Sequence, residues 1–197
     1  IYHYININEI EKALQYIFDA VKKAKEIYAY QDIIKILKII IDAIFHENVQ
    51  TKNETYFDLI LELSYLLILT GQLDEAIHYI NRLNVKTLDN ERKLNFYSLC
   101  CDLYYKRGEW ITSEKYARKG LKILHEQLPD NKQVVFYIVK EVLESLFSPF
   151  YKFVPLSSTN KERKIKIFNF LEPLGMSYVL SNTLKFLYIG FRSRNIA

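Results

Sequence analysis

Apolar residues recur every three or four positions along almost the whole chain, and this spacing restricts its fold more than any other feature. In the stretch 9–28, Ile10, Leu14, Ile17 and Val21 fall on one helical face and the lysines fall off it. Five Gly and four Pro among 197 residues are too few for the frequent turns of a β-sandwich. The sequence therefore predicts an all-α protein with about nine helices and no convincing strand.

Polar loops, glycines and prolines bound the predicted helices. The helices are predicted at 9–28, 32–45, 55–69, 73–83, 92–106, 110–125, 131–147, 161–173 and 177–195. Asp89 is a predicted N-cap, and Gly71 and Gly108 are predicted to end the preceding helices in the left-handed conformation. The run 173–175, Pro-Leu-Gly, is predicted to turn the chain between the last two helices. The segment 148–160, which contains two prolines and a Ser/Thr cluster, is predicted to be an irregular loop.

Two glycine-centred turns repeat one another. In LTGQLDEAIHYI and KRGEWITSEKYA the glycines, Gly71 and Gly108, lie 37 residues apart, and each is followed five residues later by a small residue, Ala76 or Ser113. A similar joint lies at 28–32. Self-similarity at this spacing is typical of stacked helical hairpins, because a lone hairpin leaves an apolar face that the next hairpin covers.

These residues resemble the tetratricopeptide repeat family. The matching positions are Ser64, Gly71, Leu73, Ala76 and Ile80 in the first repeat and Cys101, Gly108, Trp110, Ser113 and Ala117 in the second. The chain departs from the family where Ile60 and Tyr97 replace the usual tryptophan of the first helix, and where no proline follows Leu83. The clearest repeats are 56–88 and 92–125.

The resemblance implies an α-solenoid of antiparallel helical hairpins, wound as a right-handed superhelix. It implies a single repeat domain over 1–197, with a C-terminal helical pair at 161–195. Because the chain starts at Ile and ends on RSRNIA, we expect it to be a fragment of a longer protein.

A second resemblance covers the C-terminal half of the chain. It is carried by Glu114, Tyr116, Ala117, Gly120, Leu124, Leu184, Leu187, Tyr188 and Arg192. In these residues the chain is similar to the helical arm that follows the nucleotide-binding core of large signal-transduction ATPases, which are often joined to adenylyl cyclase, protein kinase or histidine kinase domains. The resemblance implies a regulatory arm of a signalling protein.

Residue patterns for catalysis and cofactor binding are missing from the sequence. There is no G-x-x-x-x-G-K-[ST] phosphate loop and no G-x-G-x-x-G. The four histidines, His3, His46, His78 and His125, have no partner at metal-ligand spacing. Cys100 and Cys101 could suggest redox or zinc chemistry, but Cys101 occupies the small-residue position of a repeat, which favours packing. We expect no enzyme activity, no cofactor and no metal. The two neighbouring cysteines do not form a disulfide framework, which favours a cytoplasmic location.

Charge and aromatic content give two possible surfaces. The net charge of +4 is dispersed, so nucleic-acid binding is not expected, and the most apolar run, 33–45, is too short to span a membrane. The basic cluster KERKIK (161–166) is either a charged first helical turn or a site for an acidic partner, a phosphate or a membrane surface. The aromatic segment 147–156 either packs inside or offers a docking patch.

The leading hypothesis is a non-catalytic helical scaffold that binds a protein or peptide partner, or other domains of its own chain. By analogy with tetratricopeptide repeats, the partner groove would be lined from first helices, here by Asp58, Leu61, Tyr65, Asn95, Ser98, Asp102 and Tyr105. The alternative is a sensor that changes its curvature when it binds a small molecule or peptide. A nucleic-acid-binding repeat ranks last, because the groove positions include two Asp and no Lys.

Overall fold

A computed structural model describes residues 10–46, 53–147 and 158–196. These parts of the chain are mostly helical, with turns between the helices. The helices are α1 (Ile10–Glu26), α2 (Tyr30–His46), α3 (Asn53–Leu69), α4 (Leu73–Ile80), α5 (Asn90–Lys106), α6 (Trp110–Ile123), α7 (Val134–Phe147), α8 (Ser158–Ser181) and α9 (Thr183–Ile196). A short 3₁₀ helix, Val85–Thr87, precedes α5, and no strand occurs in the described ranges. The prediction of an all-α protein is confirmed. Most of the predicted loop 148–160 lies outside the described residues, and α8 begins within it at Ser158.

The chain divides into two compact units, Ile1–Asn84 and Val85–Ala197. The first unit contains α1 to α4, and the second contains the 3₁₀ helix and α5 to α9.

In the first unit, two hairpins pack side by side. Helix α1 packs on α2, α2 on α3, and α3 on α4. Lys38 of α2 forms an ion pair with Glu75 of α4, and Lys25 of α1 forms one with Glu62 of α3. These two ion pairs link the first helices of the hairpins to each other and the second helices to each other. The core of this unit is mostly aliphatic, and both Leu37 and the aromatic Phe57 are buried in it.

The second unit also contains two hairpins, α5–α6 and α8–α9, with α7 inserted between them in the sequence. Helix α8 packs against both α5 and α6, and the ring of Phe170 faces the backbone of Gly120 on α6. Helix α7 packs against α9. The two run in the same direction, since Tyr188 meets Tyr137 and, one turn further along each helix, Arg192 meets Glu141.

Four helix ends share one backbone motif. The residues Tyr28, Gly71, Gly108 and His125 have φ between 55° and 80°. In each case the next residue donates its N–H to a carbonyl five positions back, over 2.8 Å. This is the Schellman motif, which satisfies carbonyl groups at the helix end. The motif is confirmed at the two predicted glycines and is also present at the predicted joint 28–32. At His125 no glycine marks the motif, and the helix ends at Ile123, short of the predicted 125.

Asp89 and the run 173–175 mark two predicted helix boundaries. Asp89 caps α5 as predicted, with its Oδ1 accepting from the N–H of Arg92 at 2.8 Å. The predicted turn at 173–175 is wrong, because α8 continues through Pro173 to Ser181. The chain instead turns at Asn182, whose Oδ1 caps α9 by accepting from the N–H of Lys185 at 3.1 Å.

Packing explains why the proline does not end α8. Phe170, Leu174 and Tyr178 are all buried, and their spacing of four residues puts them on one face only if the helix continues. Ser177 donates its hydroxyl to the carbonyl of Pro173 at 2.8 Å. Burial along this uninterrupted face therefore outweighs the lost backbone hydrogen bond and the clash of a proline inside a helix.

Candidate functional site

Three of the predicted groove residues, Asp58, Leu61 and Tyr65, form a stripe on α3. Their spacing of three and four residues places them on one side of the helix, and that side is partly exposed, with Tyr65 45% exposed. Lys25 of α1 borders the stripe, with its Nζ 4.7 Å from the centre of the Tyr65 ring. The stripe therefore offers acidic, apolar and aromatic groups next to a cation.

The other four predicted residues form a similar stripe on α5. Asn95 is exposed, and Ser98, Asp102 and Tyr105 are half-buried. The carboxylate of Asp102 pairs with Lys106 at 2.9 Å. Each stripe is thus a continuous, accessible helix face. The stripes belong to different units, so their union in one groove stays a prediction.

A cluster of aromatic rings occupies the other side of α5. Tyr104 and Tyr116 are stacked, with ring centres 5.5 Å apart and an angle of 6° between the planes, and Phe96 and Tyr97 also contact Tyr116. Lys119 lies over the Tyr116 ring at 5.2 Å. Burial, assisted by neighbouring Cys100 and tyrosines, raises the pKa of Tyr116 to about 12. These rings join α5 to α6, in agreement with the packing role expected for most aromatics of this chain.

The two cysteines lie in the core of the hairpin α5–α6. Both Cys100 and Cys101 are fully buried, and Ser113 donates its hydroxyl to the carbonyl of Cys101 at 2.8 Å. Burial raises the pKa of both thiols, that of Cys101 to about 11. Because the thiolate is the nucleophile and the metal ligand, these environments suit the packing interpretation rather than redox or zinc chemistry.

The basic cluster 161–166 contributes to contacts between helices. Arg163 donates to the carbonyl of Leu124 at 2.7 Å and to Glu126 at 3.0 Å. Lys166 lies 3.4 Å from Glu91 of α5. Two of its four basic side chains are therefore engaged inside the second unit, which favours a structural role for the first turns of α8.

Arg192 is the centre of an ion-pair network that joins α9 to the rest of the unit. Its Nη2 donates to both carboxylate oxygens of Glu126 at 2.9 Å, and its Nη1 lies 3.4 Å from the buried carboxylate of Glu141. Asn195 donates to the other oxygen of Glu141 at 2.8 Å. Burial lowers the pKa of the Arg192 guanidinium, but the charges of Glu126 and Glu141 outweigh that effect and raise it.

Glu114 is the centre of a second network, between α6, α8 and α9. Its carboxylate accepts from Arg118 at 2.7 Å and from Lys185 at 3.0 Å, and also from the hydroxyl of Tyr178. Burial raises the pKa of Glu114, but these hydrogen bonds and the Lys185 charge lower it below its usual value. Glu114 and Arg192 are two of the residues that carry the resemblance to signalling ATPase arms, and here both hold helices together. Sequence reasoning missed the networks, because their partners lie up to 71 residues apart.

No protein-family model matches the sequence, and no curated protein or solved structure matches it either. The helices within the described ranges include none that is long and apolar enough to cross a membrane. The described residues therefore define an all-α protein with accessible stripes on α3 and α5.

Proposed function

We propose that the chain is a non-catalytic scaffold of the tetratricopeptide-repeat type, whose hairpins stack as an α-solenoid and bind a protein or peptide partner. The observation that carries the proposal is the recurrence of one building plan. The hairpins at Tyr28, Gly71 and Gly108 turn through the same Schellman motif, and in each unit helices of one hairpin pack against helices of the next. Such stacking is how helical-repeat proteins build extended binding surfaces.

The stripes on α3 and α5 are the surfaces proposed to meet the partner. Each contains one aspartate and one tyrosine, Asp58 with Tyr65 and Asp102 with Tyr105, beside small or apolar side chains. Tyrosine supplies large contact area at low conformational-entropy cost. The aspartates add negative charge to each stripe, although Lys106 already pairs with Asp102. We expect the partner to be an extended peptide or a helix with Lys or Arg between apolar residues.

The proposal extends to the setting of this scaffold, a regulatory arm in a larger signalling protein that carries an ATPase. This part rests on the sequence resemblance in the C-terminal half. Sequencing the transcript on both sides of the region encoding the chain tests it. An upstream coding region for a P-loop ATPase supports this setting, and a reading frame without one contradicts it.

Selection of binding peptides from a displayed random library tests the scaffold proposal. Peptides with basic and apolar residues should be enriched, and Tyr65→Ala, Asp102→Ala and Tyr105→Ala should each weaken their binding. Tyr16→Ala is the matched control, because Tyr16 is 52% exposed, close to the 45% of Tyr65, but lies on α1 outside the stripes. Selected peptides whose affinity is unchanged in all three variants would show that the stripes are not the binding surface.

A further inference from the structure

Helix α7 is apolar on two opposite sides. One side, which contains Tyr137 and Glu141, packs against α9. The other side carries large apolar residues that are between 49% and 71% exposed: Val135, Phe136, Val139, Leu143 and Leu146. We call these five residues the outer face of α7. A helix that is apolar all round is normally buried all round, and 14 residues are too few to span a bilayer.

The network on the opposite side of α7 fixes the direction of the outer face. Glu141 is 2% exposed and is held by Arg192 and Asn195 of α9. Rotation of α7 to bury its outer face would expose the aromatic contact at Tyr137 and would leave the carboxylate of Glu141 without its partners. The outer face is therefore a stable feature of the second unit.

The spacing of the outer face matches the seam of a two-helix coiled coil. Phe136, Val139, Leu143 and Leu146 follow one another at steps of three, four and three residues, which is the a/d pattern of a heptad. Such a narrow seam fits one further helix lying along it. Contiguous exposed patches of more than a few hundred Å² on a soluble protein mark interaction sites.

We propose that the outer face of α7 is a self-association surface, on which α7 of a second copy of this chain packs antiparallel around a two-fold axis. The axis passes close to residue 141, so that Val139 of each copy meets Leu143 of the other. The same axis pairs Phe136 with Leu146. All four seam positions are thereby matched by a single symmetry operation, as an isologous dimer requires.

The charges beside the seam suit this arrangement. Lys140 and Glu144 are exposed on the same border of α7 and lie 3.6 Å apart. In the antiparallel pair, Lys140 of one copy lies about two residues, or roughly 3 Å along the helix axis, from the level of Glu144 of the other and equally far from its Lys140. Two attractions between Lys140 and Glu144 therefore act against one repulsion between the two Lys140 side chains, and the border has no net charge to favour a strongly acidic or basic partner.

The size of the outer face indicates a weak dimer. An aromatic side chain such as Phe136 has about 150–250 Å² of surface and the four aliphatic side chains have less, so the five at these exposures offer at most roughly 500 Å² per copy. The pair would bury at most about 1,000 Å² in total, which is below the range for stable interfaces and typical of weak, transient ones. We expect dimerisation in the micromolar range, separate from the peptide binding proposed for the stripes on α3 and α5.

Sedimentation equilibrium of the 197-residue chain between about 1 and 100 µM tests the proposal. The wild type should pass from monomer to dimer, and Leu143→Glu should weaken dimerisation at least about tenfold, because it buries an unpaired charge at the interface. Ile111→Glu, at a position 89% exposed on α6, is the matched control and should leave dimerisation unchanged. A wild type that stays monomeric, or a dimer that is unaffected by Leu143→Glu, overturns the proposal.

A pair of charge variants gives an independent answer that does not depend on how well Leu143→Glu folds. Lys140→Glu should weaken dimerisation by placing four like charges, residues 140 and 144 of both copies, together beside the two-fold axis. The double variant Lys140→Glu/Glu144→Lys restores opposite signs and should recover the wild-type dissociation constant. Circular dichroism checks that each variant remains helical. Equal weakening by the single and double variants would contradict the antiparallel pairing.

Discussion

Replacement of Gly120 by alanine should destabilise the chain, because the Phe170 ring of α8 packs directly on this residue of α6. A Cβ on Gly120 would overlap three ring carbons of Phe170, with Cε2 at 2.8 Å and Cε1 and Cζ closer still. Carbon atoms at favourable van der Waals contact lie about 3.5–4.0 Å apart. The Phe170 ring is 1% exposed and belongs to the core of the second unit, so it has little space into which to move.

Two opposing effects set how much Gly120→Ala lowers the free energy of unfolding. Overpacking of a close-packed core by one methyl group costs about 1–3 kcal/mol, and the buried ring places Gly120→Ala toward the upper end. Alanine in place of glycine inside a helix contributes about 1 kcal/mol of stability. The expected net loss in the free energy of unfolding is therefore about 1–2 kcal/mol.

Urea denaturation followed by circular dichroism measures this loss, and two further variants test whether the contact with Phe170 causes it. Gly190→Ala is the control, because Gly190 is also helical but nothing lies within 4 Å of its added Cβ, and it should stabilise the chain by about 0.5–1 kcal/mol. In a Phe170→Leu background, Gly120→Ala should cost less by about 1 kcal/mol, since the clashing ring is absent. If Gly120→Ala stabilised the chain as much as Gly190→Ala, the close approach of α6 and α8 would be disproved.

Three further predictions concern the helix ends, the buried thiols and the Arg192 network. Gly71→Ala should lower the free energy of unfolding by about 1–2 kcal/mol and His125→Gly should raise it by a similar amount, because both residues have a left-handed backbone conformation. Urea denaturation measures both changes, and changes in the same direction would contradict the shared motif. Burial raises the pKa of Cys101 from 9.0 to about 11, so the thiols of the folded chain should react slowly with a disulfide reagent at pH 8 and rapidly in urea. The free energy of unfolding should fall once the pH rises above about 9, because thiols of the unfolded chain then ionise. Rapid reaction of the folded chain would refute this prediction. Arg192→Ala should lower the free energy of unfolding by about 3 kcal/mol, because it leaves the buried carboxylate of Glu141 without its cation. Thermal or urea denaturation measures this loss, and a loss below about 1 kcal/mol would mean that the network contributes little to stability.

The parts of the fold that sequence predicts well are those encoded by neighbouring residues. Gly71 and Gly108 mark two Schellman motifs because glycine adopts a positive φ without steric cost. Asp89 identifies the start of α5 because its own side chain completes the cap. The apolar spacing predicts helices for the same reason, since it depends only on which residues share one face.

The parts that sequence predicts poorly depend on distant residues. Pro173 is a local signal for a turn, but the buried face from Phe170 to Tyr178 outweighs it. His125 has a positive φ, which is uncommon for any residue other than glycine, and no local pattern indicates it. The pairing of Arg192 with Glu126, 66 residues away, requires the packed unit. For the candidate site, the helical register indicates which residues share a stripe, whereas the union of both stripes in one groove depends on the arrangement of the hairpins.

Hydrogen exchange of the chain with and without a selected basic, apolar peptide is the most direct test of the central claim. We predict that the peptide slows exchange in a helix that carries a stripe, either α3 around Asp58–Tyr65 or α5 around Asn95–Tyr105, and leaves the other faces unchanged. Protection in neither of these helices, or protection found only on the outer face of α7, would contradict the proposed function.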